Sequence, residues 1–169
     1  MMKIHYFFYN LSPIKYLLLG VILCFVINIA STLIALLLFQ RLGWWSVDEI
    51  IPISQQSVLM IITAVIISPV AETLLFQVLP INIMLKIKFF CNKMPLIIFI
   101  SAFIFGFMHG DLRTIIYAFI VGIFLAYTYI IYKLKNSKPI LFVALLHSLI
   151  NLSTVLIAWI SVYVEGGCT

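Results

Sequence analysis

The stretch Tyr16–Phe39 reads YLLLGVILCFVINIASTLIALLLF, 24 consecutive residues without a charged side chain. A helix rises about 1.5 Å per residue, so this run is about 36 Å long as a helix, enough to cross the roughly 30 Å hydrocarbon core of a bilayer. Helices satisfy all their backbone hydrogen bonds internally, which is a requirement inside lipid. The stretch therefore predicts a membrane-spanning α-helix near the start of the chain.

The rest of the chain has the same apolar character. Of the 169 residues, 65% are apolar and 9% are charged, whereas ordinary soluble domains are about 45–50% apolar and about 25% charged. The five predicted spans are Tyr16–Phe39, Ser57–Leu79, Leu96–Met108, Ile115–Tyr132 and Ile140–Val164. The lysine-bearing segment Ile81–Lys93 is interpreted as an interfacial piece. The sequence predicts one all-α membrane domain over residues 1–169, a polytopic bundle of about five transmembrane helices.

Proline marks the predicted helix ends. Four prolines fall at predicted boundaries, as expected of a residue that cannot donate a backbone hydrogen bond: Pro52, Pro80, Pro95 and Pro139. Pro69 lies inside the second predicted span instead. It is expected to free the carbonyl of Val65, four residues earlier, and to bend the helix beside Glu72.

The net charge of +5 is unevenly distributed along the chain. Eight basic residues fall in the N-terminal segment and in two of the predicted loops: Lys3, Lys15, Lys86, Lys88, Lys93, Lys133, Lys135 and Lys138. The opposite loops hold only Arg41 and Arg113. By the positive-inside rule, this asymmetry predicts a multi-pass cell-membrane protein with a cytoplasmic N-terminus and an external C-terminus. The partner of these charges is then the lipid bilayer, and nucleic acid is not expected.

Small residues recur every four positions on the third and fourth predicted spans. They are Ala102, Gly106 and Gly110 on one span, and Ala118, Gly122 and Ala126 on the other. Stripes of this kind allow helix backbones to approach closely. The two spans are therefore predicted to form a tight antiparallel pair with His109 at its apex.

Four polar side chains lie inside or at the end of predicted spans: Glu72, His109, His147 and Asn151. Ionisable groups at membrane depth are energetically costly and usually line a cavity or perform chemistry. A carboxylate and a histidine can activate water, and a second histidine with an amide can donate to an oxyanion, a set sufficient for peptide hydrolysis. Glu72, His109 and His147 are equally a possible zinc ligand set, and spacing leaves both readings open. Interhelical hydrogen bonds that only hold the bundle together are the third reading.

The polar residues belong to three motifs: Pro69-Val-Ala-Glu72-Thr73-Leu-Leu-Phe-Gln77, Phe105-Gly-Phe-Met-His109 and His147-Ser-Leu-Ile-Asn151. In this order, over about Ile51–Ser161, they resemble the CPBP intramembrane proteases, also called the Abi or CAAX-protease and bacteriocin-processing family. The resemblance implies a membrane-embedded endopeptidase for hydrophobic, leader-bearing or prenylated peptides. Its implied roles are CAAX-type processing, bacteriocin maturation and self-immunity.

The same resemblance implies the residue roles. Glu72 and His109 would activate water, and His147 and Asn151 would be oxyanion donors, without a metal cofactor. Phe105 would be a supporting residue.

Two departures from the family pattern concern its charged pair. Thr73 stands where a second glutamate is expected, and Gln77 stands where an arginine is expected. Because both charges are lost together, no unpaired ion remains, and a neutral hydrogen bond between these two supporting residues is predicted. The alternative function is a non-catalytic membrane immunity or accessory protein that retains the fold.

Overall fold

A computed structural model describes residues 2–39, 58–110 and 112–166. Within these ranges the chain is helical, with no β-strand. The helices are α1 (Met2–Asn10), α2 (Pro13–Phe39), α3 (Val58–Met84), α4 (Met94–Phe107), α5 (Leu112–Leu134) and α6 (Pro139–Gly166). A single 3₁₀ turn, Lys88–Phe90, lies between α3 and α4. The predicted boundary at Pro52 lies outside the described residues.

Four helices contain stretches long and apolar enough to cross a membrane, which are Pro13–Ala30, Val58–Met84, Thr114–Leu134 and Pro139–Leu156. Helix α4 is also apolar but has only 14 residues, which correspond to about 21 Å of helix. The predicted all-α membrane bundle is confirmed, with four full-length spans and one shorter helix among the described residues. Helix α1 is an addition to the predicted elements.

Helix α5 is at the centre of the bundle. Helices α2, α4 and α6 pack against it, and α3 packs against α4, α5 and α6. In the apolar stretch of α5, 56% of the residues are buried, compared with 11% in that of α3. Thr128 of α5 donates its hydroxyl proton to the carbonyl of Phe124 at 2.7 Å. Tyr16 of α2 is therefore the donor in its 2.9 Å hydrogen bond to Thr128.

The small residues of α4 and α5 bring the two helix backbones close together. A Cβ atom on Gly106 would lie 2.9 Å from Cβ of Phe119 and 3.0 Å from the carbonyl oxygen of Ile115. A Cβ atom on Gly122 would lie 3.1 Å from Cα of Ala102. The predicted tight pair is confirmed, because both approaches require glycine.

Gly106→Ala is expected to destabilise the protein. The added methyl group meets the backbone of α5, which cannot move aside, and overpacking of this kind costs about 1–3 kcal/mol. We expect the thermal midpoint in detergent to fall by about 2 to 10 °C. Phe103→Ala, at an exposed position of the same helix, is the control and is expected to change the midpoint much less. Equal midpoints for Gly106→Ala and the wild type would contradict the close packing.

The lysine-bearing segments lie at one end of the bundle. Lys133 at the end of α5 donates a hydrogen bond to Oδ1 of Asn82 in the last turn of α3. The Lys135 ammonium lies 5.0 Å from the ring centroid of Tyr9 in α1. These contacts bring α1, the α3–α4 connection and the α5–α6 connection together. Lysine-bearing segments that are far apart in the sequence therefore lie at the same end of the folded bundle.

Helix α3 runs through both of its prolines. The prediction that Pro80 ends the helix is wrong, because the helix continues to Met84. The interfacial reading of Ile81–Lys93 is therefore wrong for its first four residues, of which Ile81 and Met84 are buried. Each proline follows a π-helical stretch, Thr63–Ile67 or Thr73–Val78. In a π-helix the hydrogen bonds run to the fifth residue back, and such local widening accommodates a residue without an N–H group.

Candidate active site

Glu72, His109 and His147 come together from three helices. Glu72 lies in α3, His109 follows the end of α4, and His147 lies in α6. The Oε2 atom of Glu72 is 3.6 Å from Nε2 of His109 and 3.7 Å from Nε2 of His147. Both distances exceed the roughly 2.7–3.2 Å of a direct N–H···O hydrogen bond. Two imidazole nitrogens thus converge on one carboxylate oxygen without a direct hydrogen bond to it.

The end of α4 determines which ring nitrogen of a neutral His109 carries the hydrogen. The backbone N–H of His109 donates to the carbonyl of Gly106 at 3.0 Å, and its ring Nδ1 lies 2.7 Å from the carbonyl oxygen of Phe105. Because a carbonyl only accepts, Nδ1 carries the hydrogen, and a neutral ring presents the Nε2 lone pair to Glu72. Gly110 then adopts φ = +91°, the left-handed conformation that commonly ends a helix.

His147 is the buried member of the group. Its side chain is 3% exposed, whereas those of Glu72 and His109 are each 26% exposed. Nε2 of the ring faces Glu72. Its Nδ1 atom makes no hydrogen bond of ordinary geometry. The site is therefore open at Glu72 and His109 and closed at His147.

Phe105 packs between the two histidines. Its ring centroid lies 4.5 Å from that of His109 and 5.4 Å from that of His147, the second contact being edge-on. The side chain is buried. A rigid aromatic ring in contact with both imidazoles restricts their rotation, which agrees with a supporting position for Phe105.

Thr73 and Gln77 are both fully buried behind the site. The predicted neutral hydrogen bond between them is not formed, because Oγ1 of Thr73 and both amide atoms of Gln77 have no hydrogen-bond partner. The two residues lie at either end of a π-helical turn, in which side chains four apart do not align as in an α-helix.

Asn151 uses its amide to hold α6 against α3. Its Nδ2 atom donates to the carbonyl of Ala64 at 2.8 Å. In the π-helical stretch before Pro69, the N–H of Ser68 bonds to Thr63, five residues back. In the same five-residue spacing, the carbonyl of Ala64 would accept from the N–H of residue 69. Residue 69 is a proline and has no N–H group.

The π-helical register adds the carbonyl of Ala64 to the carbonyl that the sequence predicts to be free. An α-helical register links residue 69 to Val65, whereas the π-helical register before Pro69 links it to Ala64, whose carbonyl binds Asn151. Ala64 is a residue that sequence reasoning missed. An alanine side chain carries no functional signal, and only the proline five residues later could have indicated it.

The structure also bears on metal binding. Among the described residues, no group of three or more histidine, cysteine, aspartate or glutamate side chains is arranged to hold a metal ion. The zinc alternative would depend on Glu72, His109 and His147, the same three side chains as the acid–base alternative. Chelation, described below, distinguishes the two.

The part of the chain that contains these residues matches a known protein family. Residues 54–153 match the family described as type II CAAX prenyl endopeptidase, Rce1-like. No curated protein and no solved structure gives a significant match. The matched range covers more than half of the chain and contains all three motifs, including Glu72, His109 and His147. The chain belongs to the Rce1-like family of type II CAAX prenyl endopeptidases, a protease family.

Proposed function

We propose that this protein is an intramembrane endopeptidase that activates water with Glu72 and His109. The supporting observation is the convergence of Glu72 Oε2 with Nε2 of both histidines, from three separate helices. The substrate is a hydrophobic, leader-bearing or prenylated peptide presented in the bilayer. Bacteriocin maturation and self-immunity are the proposed biological roles.

The first step of the proposed reaction is water activation. The Nε2 lone pair of neutral His109 and the Glu72 carboxylate are both hydrogen-bond acceptors, and a water molecule has two hydrogens to donate. Water bound to both groups directs an oxygen lone pair towards the substrate carbonyl. Glu72 accepts the proton as the oxygen attacks, and it then returns that proton to the leaving amine.

The second step is stabilisation of the oxyanion. Asn151 donates one Nδ2 hydrogen to Ala64, so the other hydrogen is available to the developing negative charge. His147 supplies the second donor through Nε2–H, in the neutral tautomer whose Nδ1 carries the lone pair. Both residues lie on α6, one helical turn apart, and donors fixed in this way act mainly in the transition state.

Metal chelation separates the acid–base mechanism from the zinc alternative. We expect a chelator to leave the cleavage rate unchanged and no divalent ion to copurify in stoichiometric amount, because the proposed chemistry needs only side chains. Metal content is measured by mass spectrometry of the purified protein. If activity is lost on chelation and restored by zinc, with about one ion per chain, Glu72, His109 and His147 are ligands instead.

A non-catalytic immunity or accessory protein is the second candidate function. The observation that favours it is the buried, unpartnered pair Thr73 and Gln77, which replaces the charged pair of the family pattern. In that case, the Glu72→Gln variant would retain the biological phenotype. In the peptidase case, it would lose the phenotype.

The proposed orientation places the lysine-bearing end in the cytoplasm. Cys91 is exposed in the connection between α3 and α4, whereas Cys168 follows the last predicted span, Ile140–Val164, in the sequence. With single-cysteine variants, we expect a membrane-impermeant thiol reagent to label Cys168 in intact cells and Cys91 only after permeabilisation. Labelling of Cys91 in intact cells would reverse the orientation.

A further inference from the structure

Pro69 is linked to Asn151 of α6 through the carbonyl of Ala64. The carbonyl that it leaves without a backbone donor, Ala64, accepts the amide hydrogen of Asn151 at 2.8 Å. Pro69 is buried, in a part of α3 that packs against α6. The proline at residue 69 thus leaves a backbone carbonyl of α3 available to Asn151.

The absence of an N–H at residue 69 determines where the Ala64 carbonyl can point. Another residue at this position would supply an N–H, which in the register that Ser68 and Thr63 already follow donates along the helix axis to Ala64. A carbonyl with such a donor lies along the axis, whereas a carbonyl without one tilts outwards. The outward direction is the one that reaches α6.

A fixed partner matters for an asparagine because its terminal torsion is broad and shows no sharp rotamer preference. The hydrogen bond to Ala64 uses one Nδ2 hydrogen and defines the plane of the amide. The second hydrogen of Asn151 is then held in one direction before substrate arrives. Donors arranged in advance need no reorganisation during the reaction, which is the source of their catalytic effect.

We infer that Pro69 is a positioning residue for the oxyanion donor Asn151, because it releases the Ala64 carbonyl that orients the amide of Asn151. The catalytic consequence rests on the proposed peptidase function. The hydrogen-bond linkage between Pro69, Ala64 and Asn151 does not, and it is tested separately below.

The kinetic test compares Pro69→Ala with Pro80→Ala. Pro80 is a matched control, since it lies in the same helix and also follows a π-helical stretch. A carbonyl in the turn before it, that of Phe76, accepts the hydroxyl of Ser101 at 2.6 Å, which is not a group of the site. We expect Pro69→Ala to lower kcat about 10- to 100-fold with KM within about twofold, and Pro80→Ala to change kcat much less.

The same substitution is then made in the Asn151→Ala background. If Pro69 acts through Asn151, Pro69→Ala lowers kcat there by less than about twofold, because the donor it positions is already absent. Equal losses of kcat in both backgrounds, or equal losses for Pro69→Ala and Pro80→Ala, would show a general structural role and overturn the inference. Pro69→Ser supplies the same N–H and serves if Pro69→Ala does not fold.

A thermal test needs no substrate. In the wild type, Asn151→Ala leaves the Ala64 carbonyl without its partner, and we expect the midpoint to fall by about 2 to 4 °C. In the Pro69→Ala background, the new N–H donates to the Ala64 carbonyl in place of Asn151. The fall in midpoint that Asn151→Ala causes is therefore expected to be at most half of the fall in the wild type. An undiminished fall would overturn the linkage. If no peptide is cleaved but the fall is halved, the proposed function fails while the linkage stands.

Discussion

Glu72→Gln is expected to lower the cleavage rate by about 10² to 10⁴, the range over which a general base contributes. Glutamine has nearly the same shape as glutamate but cannot accept the proton of the attacking water. The side chain is partly exposed and has no direct hydrogen bond to either histidine, so the fold and membrane insertion are expected to persist. The rate is measured with purified protein in vesicles, alongside its thermal midpoint.

Thr73→Ala is the matched control for Glu72→Gln. Thr73 is the next residue along α3, is fully buried, and makes no hydrogen bond through Oγ1. Its removal is expected to change the rate far less than Glu72→Gln does. Comparable losses in the two variants would indicate that local disturbance of α3, and not the carboxylate, is responsible.

Asn151→Ala is expected to lower kcat by about 10² to 10³, the typical loss for one oxyanion donor, with little change in KM. The amide acts on charge that develops only in the transition state, so substrate binding does not need it. Ser153→Ala is the control on the same helix, because its hydroxyl bonds only to the carbonyl of Ile150 within α6. A rise in KM with unchanged kcat for Asn151→Ala would assign it to substrate binding instead.

The spans and the motif residues were predictable from the sequence. Long uncharged runs such as Tyr16–Phe39 have one stable form in lipid, and the regular spacing of Gly106 and Gly122 indicated the close helix pair. The convergence of Glu72 and His147 followed from the requirement that polar side chains in lipid face the bundle interior. These predictions depend on the apolar composition of each run and on the spacing of residues along it, which tertiary contacts do not alter.

The hydrogen-bond register of α3 was not predictable. Proline usually ends a helix, but Pro80 is accommodated by a π-helical turn and by the hydroxyl of Ser101, which comes from another helix. The same kind of register shift frees the carbonyl of Ala64, and Gln77 lacks the predicted hydrogen bond. Such choices are decided by neighbouring helices, and no local pattern in the sequence records them.

Cleavage in H₂¹⁸O tests the central claim most directly. The purified protein is reconstituted in vesicles with hydrophobic leader peptides or prenylated peptides, and the products are analysed by mass spectrometry. The proposed mechanism predicts one ¹⁸O atom in the new carboxyl group of the wild-type product and no product from Glu72→Gln. If the wild type cleaves none of these peptides while Glu72→Gln retains the cellular phenotype, the protein is not a Glu72-dependent peptidase.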